Sequence, residues 1–398
     1  MLHNECTIRT SNIEHQIHVY SNVQQTAYGN GFVPYEMQIT SKLAAYDDLN
    51  VEAIRFSSHP EESEFTFQVR NIKFSSFTLF YLLHLPFINL FAPLMKRTLN
   101  ALTASKPEDV FIFYENKIPN IKLNGKIIAL LHDIMPLRIL NMKLRNTGRL
   151  ENFMRRYIVK RNARDILRIA DKIVTVSEFS KRDIMDYFNL QDDGRIEVIY
   201  SCFDPAYSQP CRNMEHIRER YSLPERYILY FGSCIPHKNA NTLIRAYAEL
   251  PEDMRREYKL VITNPQGVTY DCVKECGVSE DVKFLNRVPE SDKPGIFQSA
   301  SLFVWPSLYE GFGLPAIEAM ASGVPVICSN VTSMPEVAGD AAILVDPLDA
   351  SGMAREIERV LTDSELRKDL IAKGYENIKR FSWDESAKKF HDIIMSLQ

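Results

Sequence analysis

The stretch that decides the fold runs from Leu302 to Val326 and reads LFVWPSLYEGFGLPAIEAMASGVPV. Its first four residues are apolar and are followed by a proline, a pattern typical of a buried strand. Pro315 favours the start of a helix and Gly323 favours its end, which predicts a short helix between them. Gly311 and Gly313 fall between the strand and the helix, where backbone N–H groups and the helix dipole can hold a phosphate.

Two carboxylates flank this loop. Glu310 precedes the glycines, and Glu318 lies eight residues after Glu310. Helical side chains lean toward the N-terminus of their helix, so we expect Glu318 to point at a ligand bound there. A carboxylate is a good acceptor for sugar hydroxyls, as the acidic residue that binds ribose in dinucleotide folds illustrates. The pair therefore indicates a nucleoside diphosphate sugar. The alternative is that both carboxylates are solvated and the glycines only break the loop.

Around this stretch, short apolar runs alternate with helical-period segments, which predicts an α/β protein with doubly wound parallel sheets. The polar, proline-containing residues 204–226 separate two Rossmann-like domains, 1–204 and 225–380. Ligands of such sheets bind at the carboxyl ends of the strands, so we expect the site in a cleft between the domains. The predicted strands are Gln16–Tyr20, Val110–Tyr114, Lys126–Leu131, Lys172–Val176, Ile196–Tyr200, Tyr227–Phe231, Lys259–Thr263, Val282–Phe284, Leu302–Trp305, Pro325–Cys328 and Ile343–Val345.

A second candidate loop follows the predicted strand Tyr227–Phe231. It contains Gly232, His237 and Lys238. A lysine at the mouth of a strand–loop–helix unit can neutralise the charge that grows on a leaving diphosphate. Without the first loop, both basic residues would be read as surface side chains.

Two weaker candidates lie in the first half of the chain. His132 and Asp133 follow the predicted strand Lys126–Leu131, where they can bond a sugar hydroxyl or a developing charge. The alternative is that His132 has only a structural role, as a lone histidine at such a place more often does. Gly29 and Gly31 follow the first strand and permit close approach of the backbone to a ligand, a weak signal by itself.

Composition excludes several classes of protein. Among 398 residues, 45% are apolar and 25% charged, which is typical of a globular protein and not of disorder. The net charge of −4 gives no bias toward nucleic acid, and we expect no nucleic-acid partner. Seven cysteines with no C-x-x-C pair fit neither a disulfide framework nor a zinc site, and they predict a reducing compartment. The first ten residues lack an apolar core, so we expect a cytoplasmic protein without a signal peptide.

One region predicts contact with a membrane surface. Residues 138–168 carry ten lysines and arginines against Glu151 and Asp165, and Phe77–Met95 has no formal charge. The prolines and polar residues in Phe77–Met95 favour a buried or surface-lying helix over a membrane span. Such a pair of segments suits an anionic inner membrane surface or a lipid-linked acceptor. A solvated helix face is the equally weighted alternative.

These motifs together resemble the retaining glycosyltransferases of family 4, which have the two-domain GT-B fold. The resemblance is strongest to the bacterial subgroup that contains O-antigen mannosyltransferases. It covers most of the chain, and Glu310 and Glu318 form the family's E-x7-E signature. The segment Phe381–Glu385 is similar to the family's last segment, a helix (381–398) that crosses back to the first domain. The matching stretches are HDIMPL (His132–Leu137), IVTVSEFS (Ile173–Ser180), FGSCIPHKN (Phe231–Asn239) and residues 306–326.

The resemblance implies a role for each candidate residue. Glu310 would contact hydroxyls of the donor sugar, Glu318 the ribose and Lys238 the leaving phosphate. His132 would bond the transferred sugar near its reacting face, and the backbone at Val288 would contact the base. The backbone amides that would hold sugar and diphosphate are those of Gly311, Phe312, Gly313 and Leu314. Ser177 is expected only to cap a helix.

The reaction implied is transfer of a hexose with retention, the leaving phosphate oxygen accepting the acceptor's proton. GDP-mannose is the subgroup's donor, and the acceptor would be a glycan or a lipid-linked glycan of the cell envelope. We expect no metal or other cofactor, because the sequence contains no D-x-D triplet.

His237 stands where the subgroup usually has an arginine, so the site can hold one cation fewer. This departure keeps open an alternative function, a non-catalytic glycosyltransferase-like subunit that stabilises an active partner. A nucleotide-dependent oxidoreductase is disfavoured, because no G-x-G-x-x-G follows the first strand.

Overall fold

A computed structural model describes residues 17–22, 33–57, 68–73, 105–114, 116, 123–139 and 149–398. The candidate Gly31 and the apolar stretch Phe77–Met95 lie outside these residues. Contact density divides the chain into two compact units. The first comprises Met1–Leu131, Arg161–Val174 and Trp383–Gln398, and the second comprises His132–Lys160 and Thr175–Ser382.

The first sheet has seven strands in the order β3-β2-β1-β4-β5-β6-β7. Register pairs from β3 through to β6 are parallel. The residues of β4 are all buried, as expected for a parallel strand covered on both faces. The strands are β1 Ile17–Asn22, β2 Leu49–Ser57, β3 Gln68–Lys73, β4 Val110–Phe113, β5 Lys126–Leu130, β6 Lys172–Thr175 and β7 Ile196–Val198.

The helices around this sheet include the predicted returning helix. The last of them packs against the first through the Lys42–Asp384 ion pair (2.5 Å) and the edge-on rings of Tyr35 and Trp383, 5.6 Å apart. The C-terminal helix therefore returns to the first unit, as predicted. The helices are α1 Val33–Leu43, α2 Met135–Ile139, α3 Arg149–Ile169, α4 Glu178–Phe188 and, numbered last in chain order, α14 Trp383–Met395.

The second sheet has six strands, all in parallel register, in the order β10-β9-β8-β11-β12-β13. Its strands are β8 Tyr227–Tyr230, β9 Lys259–Thr263, β10 Val282–Leu285, β11 Leu302–Trp305, β12 Val326–Ser329 and β13 Ala342–Val345. Its helices are α5 Met214–Arg220, α6 Ala240–Ala248, α7 Glu252–Glu257, α8 Gly267–Glu275, α9 Lys293–Gln298, α10 Leu314–Ala321, α11 Met334–Ala338, α12 Ala350–Thr362 and α13 Ser364–Asn377.

The predicted α/β class with two doubly wound parallel sheets is thus confirmed. Each of the six strands predicted for the second half exists, with ends shifted by one residue at most. The sequence patterns did not predict β2 and β3, the two strands on one edge of the first sheet.

The predicted domain limits at residues 204 and 225 stay a prediction. Strand order places β7 in the first sheet, whereas contact density groups His132–Lys160 and everything from Thr175 to Ser382 with the second unit. Among the helices of the described residues, none has the length and apolarity needed to cross a membrane.

Candidate active site

The order of the second sheet defines where a ligand is expected. Strands β8 and β11 are neighbours, and the chain winds outward from them in opposite directions. The carboxyl ends of such a strand pair form the topological switch point, where ligands of open α/β sheets bind. The loop after β8 carries Gly232 and Lys238, and the loop after β11 carries Glu310 and Gly311. Two candidate loops from separate parts of the sequence therefore meet at the expected edge.

The loop after β11 has the predicted strand–turn–helix form. Helix α10 begins at Leu314, so Pro315 lies in its first turn, one position later than predicted. Gly313 precedes the helix with φ +106°, a conformation that side chains rarely adopt, and Met334 Sδ fills the space next to its Cα. The helix ends at Ala321 in a Schellman motif, with Gly323 at φ +72°.

Glu310 is buried at the centre of this site and is surrounded by donors. Lys238 Nζ lies 2.7 Å from Glu310 Oε1 and 2.8 Å from Oε2. Oε1 also accepts from Trp305 Nε1 at 2.8 Å and from Ser307 Oγ at 2.6 Å. The carboxylate is therefore held in one orientation. Among the described residues only Lys238 donates to Oε2, so this oxygen has room for another donor.

The loop after β8 supplies the cation. Lys238 ends a short 3₁₀ turn, Pro236–Lys238, and its ammonium lies 5.2 Å from the centre of the Trp305 ring, a cation–π distance. His237 is buried, and its carbonyl accepts from Leu308 N at 2.8 Å, which joins the two loops. Gly232 donates its N–H to Thr263 Oγ1 at 2.8 Å.

The backbone carbonyls of the glycine loop face serine hydroxyls. The single hydroxyl of Ser333 lies 3.0 Å from the carbonyl oxygen of Glu310 and 2.8 Å from that of Phe312. The carbonyl oxygen of Gly311 accepts from Ser177 Oγ at 2.6 Å and from Ser180 Oγ at 3.0 Å. Three successive carbonyls are thus bonded to side chains rather than to backbone.

The amides of the same loop are placed differently. Within the described residues, no acceptor bonds the N–H groups of Gly311, Phe312, Gly313 or Leu314. Gly313 and Leu314 stand at the N-terminus of α10, where the helix dipole is positive. A row of unbonded donors next to a lysine is a site for an anion.

Asp133 approaches this loop from β5. Its Oδ1 accepts from Met135 N at 2.9 Å, and a Cβ added to Gly311 would stand 2.5 Å from its Oδ2. Burial, helped by the neighbouring Glu310 carboxylate, raises the pKa of Asp133 to about 6, although the hydrogen bond from Met135 N favours the charged form. His132 is buried, and its carbonyl accepts from Thr175 Oγ1 at 2.9 Å. The Asp133 carboxylate thus occupies the space that a side chain at position 311 would need, and only glycine fits there.

Glu318 lies on α10 and is half-buried. Burial raises its pKa to about 7, although the Lys293 ammonium and a hydrogen bond with Tyr207 favour the charged form. Glu290, paired with Lys293, adds a second negative charge nearby. Near neutral pH this carboxyl group is therefore divided between its protonated and ionised forms.

The remaining predicted residues occupy the same unit. Phe312 is buried with its ring edge-on to that of Phe381, 5.4 Å between centroids. Leu314 is half-buried as the first residue of α10, and Val288 packs partly buried against the core of the second unit. The roles predicted for these side chains, and for the site residues as a group, remain predictions.

Several residues of this site were not predicted from the sequence. Trp305 and Ser307 bond Glu310, and Ser180 and Ser333 bond loop carbonyls. Ser177 caps α4 as predicted, accepting from Ser180 N at 2.9 Å, and also bonds Gly311. Nearness in sequence to Glu310 was an available signal for Trp305 and Ser307, whereas the long-range serines had none.

The chain is similar in sequence and in fold to known glycosyltransferases. Residues 213–377 match the model of the family Glycosyl transferases group 1. The O-antigen chain mannosyltransferase B of Escherichia coli is 37% identical over 234 residues, 58% of this chain and 61% of that protein. The chain thus spans about three fifths of this relative.

Two solved structures share the fold. The glycosyltransferase WaaG, involved in lipopolysaccharide biosynthesis, has a TM-score of 0.71 at 18% identity, covering 95% of this chain and 99% of that one. Anabaena Alr3699/HepE in complex with UDP-glucose has a TM-score of 0.68 at 16% identity, covering 96% and 100%. The chain therefore has the GT-B fold, and the part of it that matches the family model, residues 213–377, includes the E-x7-E pair.

Proposed function

We propose that the protein transfers a hexosyl group, with retention, from a nucleoside diphosphate sugar to a glycan or lipid-linked acceptor of the cell envelope. The observation that carries the proposal is the loop Glu310–Leu314. Its carbonyls are bonded by serines, its amides are open to an anion, and the part-buried Lys238–Glu310 pair lies beside it. A diphosphate with a sugar on each side matches this combination of donors and carboxylates.

In this proposal each group of the site binds one part of the donor. The amides of Gly311–Leu314 and the Lys238 ammonium bind the diphosphate and stabilise the charge that grows as the glycosidic bond breaks. Glu310 Oε2 accepts a hydroxyl of the transferred sugar, since Oε1 already has three donors. Glu318 accepts a ribose hydroxyl, and His132 bonds the sugar near its reacting carbon.

The chemical step needs no covalent enzyme intermediate. The bond between the anomeric carbon and the phosphate oxygen breaks, and the acceptor oxygen bonds that carbon on the same face. The departing phosphate oxygen takes the acceptor's proton, so atoms and charge balance. The protein supplies positioning and charge stabilisation, and no metal is part of the proposal.

The donor to test first is GDP-mannose. The similar E. coli protein is named an O-antigen chain mannosyltransferase, and the GT-B protein HepE was solved with UDP-glucose. We extend these names to this chain as a proposal: mannosyl transfer in assembly of a polysaccharide such as O-antigen. A UDP-hexose is the second donor to try.

Transfer should be measured with GDP-mannose and UDP-glucose, with EDTA present and a lipid-linked glycan as acceptor. We expect product with one donor, retained anomeric configuration by NMR, and loss of transfer in Lys238→Ala. Donor binding without transfer to any acceptor would favour the non-catalytic subunit. Absence of binding to every nucleotide sugar would overturn the proposal.

We also propose that helix α3 contacts an anionic membrane surface. Phe153, Met154 and Tyr157 are exposed on this helix, and Tyr157 is 52% accessible. Arg156 and Lys160 lie on the same stretch. Apolar side chains among cations suit the interface of an anionic bilayer.

Flotation with vesicles containing one third phosphatidylglycerol should recover the protein, and Phe153→Ser with Tyr157→Ser should reduce recovery. Equal recovery on neutral vesicles would contradict an anionic surface.

A further inference from the structure

We infer that Ser180 and Ser333 are positioning residues for the donor, because their hydroxyls hold and polarise the peptide groups whose N–H groups face the diphosphate. This inference rests on the proposed function and adds to it residues outside the glycine loop. Ser177 shares the role, but it also caps α4, so its two functions are harder to separate.

The hydroxyls and the amides belong to the same peptide groups. The Ser333 hydroxyl bonds the carbonyl of Glu310, whose peptide partner is the N–H of Gly311. It also bonds the carbonyl of Phe312, whose partner is the N–H of Gly313. A bond accepted by a carbonyl polarises its peptide group and makes the attached N–H a better donor. Because a hydroxyl has one proton, Ser333 shares its hydrogen bond between these two carbonyls and so acts on the peptide groups of two open amides.

Ser180 acts on the amide between these two. It bonds the carbonyl of Gly311, whose peptide partner is the N–H of Phe312. The three peptides that present Gly311, Phe312 and Gly313 N–H groups thus each receive a serine bond on the opposite side. With their carbonyls fixed, these peptides cannot turn over to point oxygens at an anion.

Neither hydroxyl has another evident task. Ser333 precedes α11, but its side chain makes no capping bond there. Ser180 lies inside α4, where Ser177 already provides the cap. Both serines are fully buried, so these hydroxyls were removed from water to reach the loop carbonyls.

The helix that carries Ser180 is held against the same segment by charge. Glu336 of α11 accepts from the N–H groups of Glu178 and Phe179, each at 2.8 Å, at the N-terminus of α4. A carboxylate at a helix N-terminus is favourable for the dipole. Tyr309 OH donates to Asp183 Oδ2 of α4 at 2.6 Å. The serine bonds therefore join elements that are already fixed on both sides.

The test compares Ser180→Ala and Ser333→Ala with Ser329→Ala as a matched control. Ser329 is equally buried, at the end of β12, and its hydroxyl bonds no partner among the described residues. Affinities for GDP and GMP, or for UDP and UMP if the protein prefers uridine, are measured by calorimetry. Thermal unfolding of each variant reports on structure.

We expect Ser333→Ala to weaken diphosphate binding by about fivefold or more, with Ser180→Ala smaller because Ser177 remains on Gly311. The affinity for the monophosphate, which lacks the phosphate group next to the sugar, should change less than twofold. Ser329→Ala should leave the affinities for both nucleotides unchanged. Equal losses for both nucleotides, or no loss in Ser333→Ala, would overturn the inference. A wild-type protein that binds no nucleoside diphosphate would instead overturn the proposed function. A glycine-selective amide NMR spectrum gives a second check, since the Gly311 and Gly313 signals should move in Ser333→Ala and not in Ser329→Ala.

Discussion

Lys238 bonds both carboxylate oxygens of Glu310, at 2.7 and 2.8 Å, although the two residues stand in separate loops 72 positions apart. The Glu310 side chain is only 9% accessible and that of Lys238 only 21%. Charges with so little access to water are stable mainly because they form an ion pair with each other. Removing one of them leaves the second without a charged partner. The pair therefore shapes stability and donor binding together.

Replacing the lysine alone should be costly for folding. Lys238→Met leaves Glu310 buried with two neutral donors, and we expect a loss of about 3 kcal/mol in the free energy of unfolding. Glu310→Gln with Lys238→Met should recover most of that loss, because no buried charge remains. Urea unfolding of the four proteins of this cycle measures the coupling. Additive effects of the two changes would show that the pair is not coupled.

The indole N–H of Trp305 should matter more for turnover than for donor affinity. Trp305→Phe keeps an aromatic ring under Lys238 but removes the 2.8 Å bond to Glu310. We expect kcat to fall about tenfold with a nearly unchanged KM for the donor, because Glu310 loses one of the three bonds that fix its Oε1.

The other tryptophan of the chain provides the control for that change. Trp383 is buried in the first unit, on α14. Trp383→Phe should lower the melting temperature and leave kcat unchanged. A similar kcat loss in both variants would point to general destabilisation instead.

A methyl group at Gly311 should disrupt the site. The Cβ of Gly311→Ala would stand 2.5 Å from Asp133 Oδ2, so the carboxylate or the loop has to move. We expect a stability loss of about 1–3 kcal/mol and little remaining transfer. Gly267→Ala, where nothing lies within 4 Å of the new Cβ, should be neutral or stabilising. Restored stability in Gly311→Ala with Asp133→Ala would identify the contact as the cause, and a stable Gly311→Ala alone would refute it.

The raised pKa of Glu318 predicts a pH-dependent penalty. The ordinary pKa is 4.5, so the unfolded chain loses this proton well below the folded value of about 7. Between these values the folded protein binds more protons, and the free energy of unfolding falls as pH rises. Glu318→Gln removes the charge and should be more stable than wild type at pH 8, by on the order of 2 kcal/mol, and equal to it near pH 4.

The same group gives a second readout in binding. If the Glu318 carboxylate accepts a ribose hydroxyl, affinity for the nucleotide sugar should increase between pH 6 and pH 8 in wild type. That increase should be lost in Glu318→Gln, which retains only the change due to Asp133, whose pKa is about 6. Glu358→Gln, at an exposed position on α12, should follow the wild-type curve. Parallel curves for wild type and Glu318→Gln would assign the ribose to another residue.

Much of this fold could be predicted from local patterns. Strands such as Tyr227–Tyr230 and Leu302–Trp305 are fully buried, and continuous apolar runs between turn residues identify them. The E-x7-E stretch was placed correctly because its proline and glycines determine where the helix begins and ends. Strands β2 and β3 were missed because charged and polar residues interrupt their apolar residues, so neither segment contains a continuous apolar run or a regular alternation.

The parts of the site that could not be predicted are long-range contacts. Ser177 and Ser180 reach Gly311 across more than 130 positions, and no local rule relates such residues in one sequence. The direct Lys238–Glu310 bond was also not foreseen, since each side chain was assigned to a different part of the donor. Its origin lies in sheet order, which brings the ends of β8 and β11 together.

The return of α14 to the first unit has a consequence for synthesis. Tyr35 of α1 packs against Trp383 and Phe390 of α14, and Asp48 bonds His391. A nascent chain emerging from the ribosome therefore cannot complete the first unit's core until the entire second unit has emerged. Domains that fold during translation usually do so from the N-terminus onward. Here the first unit, although most of it is synthesised first, should become resistant to protease after the second unit.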